Sequence, residues 1–136
     1  MLSSNDIPTG LRYHKKSAVL DIIYSAQTYS LTAEFLRVYS PSAEVQRHGN
    51  PELQFGKSNV QIEKIHYVGR YGIRIDFSDS HATGIFSWNY LLHLTSEHEQ
   101  LWTKYLQALE TAGKSRDPHT SIVRIQSPHQ KSIEQK

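Results

Sequence analysis

Two hydrophobic rhythms alternate along the chain. In LDIIYSAQTYSL, Leu20, Ile22 and Tyr24 fall on one parity, and the polar Ser25–Gln27 interrupts the run. That pattern predicts two short strands joined by a turn. The period then lengthens. Thr32 is a good N-cap, Leu31 before it is placed to staple onto Leu36, and Phe35, Leu36 and Tyr39 share one side of a short helix. Pro41 ends that helix, because proline restricts the residue before it and has no N–H to donate. The segment HGNPELQFGKSN that follows is rich in turn residues.

Alternation returns in NVQIEKIHYV, on one parity at Val60 and Ile62 and on the other at Ile65 and Tyr67, which predicts a bulge or break near Glu63–Lys64. YGIRIDF gives the cleanest strand, with Tyr71, Ile73, Ile75 and Phe77 expected in the core. SDSH reads as a turn, and ATGIF as the returning hairpin partner. Ser87 then caps a short helix over SWNYLLHL, with Phe86 stapled to Leu91. A longer helix is predicted from about Glu97 to Ala112, opened by a Ser96–Glu99 capping box and stopped at Gly113. Leu101, Trp102, Tyr105, Leu106 and Leu109 form its apolar stripe.

The predicted fold class is α+β: a small, mainly antiparallel, twisted sheet with short helices and one longer C-terminal helix. Residues 1–10 are expected to be a flexible leader, 11–113 one domain, and 114–136 a flexible basic tail in which SIVRI is at most a marginal strand.

Composition narrows the function classes. The chain has 136 residues, enough for one modest core. With no cysteine it has no disulfide, no thiolate nucleophile and no Cys-ligated metal. No apolar run approaches the roughly 20 residues of a membrane helix. MLSSNDIPTG lacks the charged-then-apolar order of a secretory signal, so the default compartment is the cytoplasm. Net charge is +2: residues 114–136, with five basic and two acidic residues, sum to +3, and the remaining residues to −1. The body is therefore slightly acidic, which argues against a nucleic-acid partner. G-x-S-x-G, Gly-rich phosphate loops and H-E-x-x-H are all absent.

Several separated motifs agree in order: LRVYSPSAEV, then VGRY, then DSHATGIFSW. Over roughly residues 11–94 they resemble the DUF971 family, similar to the N-terminal domain of gamma-butyrobetaine hydroxylase. The resemblance implies a zinc-binding accessory module that precedes an oxygenase domain. There the zinc is held by three cysteines in a C-x-C-x-x-C run and one histidine in a later G-H turn. Carried over, the cysteines fall on Ser40, Ser42 and Val45, and the histidine on His81. Three of four ligands are missing, so the resemblance carries the fold and neither zinc nor hydroxylation. The family commonly has glycine at Ser80. Related domains fused to ATP-dependent Fe–S cluster carriers imply an accessory role in Fe–S or other metalloprotein assembly.

The reading that results is a non-catalytic binding or adaptor domain without a cofactor. Its partner is expected to be a protein, such as an Fe–S carrier or client; no membrane is expected, and a homo-oligomer is left open. Candidate binding residues are Arg37, Glu44, Arg47, His48, Asp79, His81 and Trp88. Asp79 either orients a ligand-binding His81 or bonds its own turn amides. Arg37 and Glu44 are expected to pair around the cysteine-less loop, with Val45 as its apolar anchor. Trp88 is either a docking aromatic or a plug behind the hairpin. The alternative is a metal-binding protein or enzyme centred on His81, Asp79 and His48.

Overall fold

The computed structural model describes residues 7–41, 52–81 and 84–120. Among the described residues, period-two alternation builds two three-stranded antiparallel sheets, and with the helices below they make the expected α+β fold. The first orders β1 (Gly10–His14), β2 (Val19–Ile23) and β3 (Thr28–Thr32). Leu20 pairs with Leu31 and Ile22 with Tyr29 across β2 and β3, so one face of the meander is apolar. β1 was not anticipated, and it holds the segment from Thr9 onward through the Thr9 N–H bond to the Ile23 carbonyl.

The second sheet orders β4 (Ile62–Val68), β5 (Gly72–Phe77) and β6 (Phe86–Ser87). The expected slip is real: the β4–β5 register shifts between Ile62 and Lys64. Ile73, Ile75 and Phe77 are fully buried, but Tyr71 is not. It precedes the strand in a turn closed by its N–H to the Val68 carbonyl, and is 73% exposed. In the described part of the return from the 78–81 turn, Phe86 and Ser87 pair with Ile73 and Gly72 at the far end of β5. The two sheets are tied by Tyr13, whose hydroxyl donates to Gln61 Oε1 at 2.8 Å and accepts the Ile62 N–H at 3.0 Å.

Between the sheets in sequence lies α1 (Ala33–Val38), capped by Thr32 Oγ1 accepting from the Phe35 N–H. All six of its residues are buried, including Glu34 and Arg37. A six-residue helix is too short to hold itself. Burial of Phe35 and Leu36 against both sheets holds it instead.

Two helices follow β6. In α2 (Trp88–Ser96), Ser87 Oγ accepts the Tyr90 N–H, as the cap pattern predicts. α3 (His98–Ala112) ends at Gly113, which is left-handed at φ 68°. The Ser96 capping box does not form. Buried Leu94 and Thr95 carry α2 through Ser96, so Glu97 becomes the junction, without a side-chain cap. α3 lays Tyr105 and Leu109 on Val38, whereas Leu106 of the predicted stripe is 40% exposed.

Residues 114–120, the described start of the segment expected to be a tail, lie against the body. The Gly56 and Ser58 N–H groups donate to the Ser115 and Arg116 carbonyls at 2.8 and 2.9 Å. Arg116 also lies over the Trp102 ring at 5.1 Å.

Candidate functional site

The candidate residues converge where α1 ends. One turn of helix separates Arg37 from Ser40, so both face the 77–81 turn. That turn carries Asp79, Ser80 and His81. Arg37 Nε donates to Asp79 Oδ2 at 2.9 Å, and its Nη1 to Gln54 Oε1 at 3.0 Å. Lys57 Nζ donates to the same Asp79 oxygen at 2.8 Å. The other carboxylate oxygen accepts the His81 N–H at 3.3 Å, an Asx turn. His81 Nε2 lies 3.1 Å from Ser40 Oγ, and both residues are buried.

Asp79 thus joins α1, the 54–57 segment and the hairpin turn. Burial raises its pKa, but hydrogen bonds from Lys57 and Arg37 and their charges outweigh that, and the carboxyl ends below its ordinary 3.8. Ser80 has φ 63°, the left-handed region that glycine enters without penalty.

Arg37, Asp79 and His81 are therefore brought together, with Ser40 as a fourth member. Glu44, Arg47 and His48 lie outside the described residues, as do Ser42 and Val45, so the expected Arg37–Glu44 pair and the apolar anchor have no geometry here. His66 is elsewhere, on β4, 2.8 Å from Asp76. Trp88 is also elsewhere. Its N–H donates to the Tyr71 carbonyl at 3.0 Å, and its half-buried ring lies against the core and lines a hollow of about 160 Å³ with Ile7 and Tyr67. Gln54 and Lys57 were missed because they sit in a turn-rich run without periodicity.

Positions 40 and 81, two of the four that the resemblance assigns to zinc, are in direct contact. The donor set does not fit the ion. Serine oxygen replaces thiolate at 40 and 42, and valine offers no donor at 45. Among the described residues, no three metal-ligating side chains cluster.

A second feature lies between α1, α2 and α3. Three tyrosines line a cavity there, and each spends its hydroxyl on backbone. Tyr39 donates to the Leu101 carbonyl at 2.7 Å, Tyr90 to that of Tyr39 at 2.6 Å, and Tyr105 to that of Gln54 at 2.9 Å. Burial raises the pKa of all three, that of Tyr90 to about 12.

Fold and site together define a small α+β domain whose 78–81 turn is tied to α1 by side-chain hydrogen bonds, in a chain without cysteine. The family model described as "Gamma-butyrobetaine hydroxylase-like, N-terminal" matches residues 11–92, and the chain belongs to that family. An NMR solution structure 48% identical in sequence covers 88% of this chain and 97% of its own, with a TM-score of 0.78. Another, 43% identical, covers 93% and 99% with a TM-score of 0.72. A crystal structure of a DUF971 protein of unknown function from Acidithiobacillus ferrooxidans is 33% identical, covers 71% of this chain and all of its own, and has a TM-score of 0.59. No curated protein matches the chain.

Proposed function

We propose that the protein is a non-catalytic binding or adaptor domain of the cytoplasm, with an accessory role in Fe–S or other metalloprotein assembly. One observation carries the first part. The polar side chains that a catalytic or metal site would need are spent on the fold: Arg37 and Lys57 on Asp79, and Ser40 on His81. A general base or ligand committed in this way is costly to withdraw, because its partners are buried. No described helix is long and apolar enough to cross a membrane. The assembly role rests on the resemblance alone, through related domains fused to cluster carriers.

The test is crosslinking in cells followed by purification of the full chain, with elemental analysis of the untagged protein alongside. Recovery of an Fe–S carrier or an apo Fe–S client supports the assembly role, and recovery dominated by RNA defeats it. One zinc or iron per chain, lost on His81→Ala, overturns the adaptor reading in favour of the metal site at His81, Asp79 and His48.

A further inference from the structure

We infer that the cavity between α1, α2 and α3 binds a small organic anion with an aromatic body, a site independent of the adaptor reading. Its volume, about 470 Å³, falls within the roughly 300–1,000 Å³ of small-ligand pockets. The rings of Tyr39, Tyr90 and Tyr105 supply its walls. Their hydroxyls are already held by backbone carbonyls, so the rings are fixed before any ligand arrives and present π-surface rather than hydroxyl. Because burial holds these phenols protonated, the walls stay neutral through the physiological range.

The rim supplies the charge preference. Lys104 and His93 line the same cavity. Among the described residues neither side chain has a hydrogen bond or ion pair, and His93 only stacks on the Tyr90 ring at 6.2 Å. An ammonium and an imidazole without partners, at the mouth of an aromatic cavity, match an acid whose ring enters and whose carboxylate stays at the surface.

Phenylacetate titrated into the full ¹⁵N-labelled chain tests this, with phenylethanol as the uncharged control. The expected result is saturable shifts at the amides of Tyr90, Leu94, Leu101 and Ala108. Phenylethanol and the Lys104→Met variant should each bind roughly tenfold more weakly, the scale of one charge-assisted hydrogen bond. Ala108→Phe fills the cavity from an exposed position of α3 and should abolish the shifts with the melting temperature unchanged. Absence of saturation at millimolar phenylacetate, or the same shifts in Ala108→Phe, overturns the site. Equal binding of phenylethanol overturns the anion and leaves a plain apolar cleft. Should Ala108→Phe unfold, unchanged affinity in Lys104→Met still overturns the assignment.

Discussion

Arg116 and Glu34, 82 residues apart, form a two-point ion pair: Nε and Nη2 of the arginine donate to the two carboxylate oxygens at 2.8 and 2.7 Å. The glutamate side chain is only 7% exposed, and the arginine stands at the surface at 46%. Removing Arg116 therefore strands a desolvated carboxylate inside α1. Arg116→Met should lower unfolding stability by about 2 kcal/mol in urea denaturation. Glu34→Gln combined with Arg116→Met should recover part of that loss, since the uncompensated charge is gone. A chain ended at Gly113 should lose at least as much as Arg116→Met, because the Gly56 and Ser58 bonds go with it.

Asp79 makes stability depend on acid. Its carboxyl ends below 3.8: burial pushes it up, and the hydrogen bonds and charges of Lys57 and Arg37 outweigh that push. A carboxyl depressed in the folded state binds its proton less readily there than in the unfolded chain. Its contribution is thus complete above the unfolded value and is lost as pH falls through the folded one. Asp79→Asn should cost about 3 kcal/mol at neutral pH, since Arg37 is left buried with Gln54 alone among these partners. The gap between wild type and variant should close as the pH drops below 3.8. Denaturation curves across the acid range check both statements; a gap independent of pH would exclude the charged pair as the cause.

What the residues announced and what they concealed divide by range. Ile73, Ile75 and Phe77, the caps at Thr32 and Ser87, the bulge after Ile62 and the stop at Gly113 are all set by neighbours a few positions away, where periodicity and cap chemistry act directly. Tyr71 was misread because alternation says which residues share a parity and not where the strand begins. Ser96 was misread because burial of Leu94 and Thr95 outweighs a local capping signal. At the candidate site, Asp79 and His81 were visible as a turn. The described partners of Arg37, Gln54 and Asp79, stand 17 and 42 residues away, beyond the reach of any local pattern. Glu34 and Arg116 carry no short-range signal at all.

Ser80 stores strain that glycine would release. A left-handed conformation costs a residue with a Cβ about 1 kcal/mol relative to glycine. Ser80→Gly should raise the denaturation midpoint, with a gain somewhat under that figure because glycine also gains freedom in the unfolded chain. Ala18, at φ 55° in the turn before β2, should behave in the same way. A loss of stability in both variants would mean that the side chains contribute more than the turns cost.

Gly72 fills the opposite role: it is a position where no side chain fits. A Cβ built there would sit 1.9 Å from the Phe86 carbonyl oxygen and 2.8 Å from Ser87 Cα. Both are backbone atoms of β6, so no rotamer change relieves the clash. β6 is two residues long and is held to β5 only by its pairing with Gly72 and Ile73. Gly72→Ala must therefore push β6 off the sheet or bend β5, and β6 leads directly into the Ser87 cap of α2. The expected cost is more than about 3 kcal/mol, in the range of mutational effects that mark a specific steric mechanism. Native-state hydrogen exchange locates it: the Ile73 and Trp88 amides should lose protection before those of β2 and β3. Uniform loss across both sheets would instead show that the two sheets unfold as one unit, with β6 no weaker than the rest.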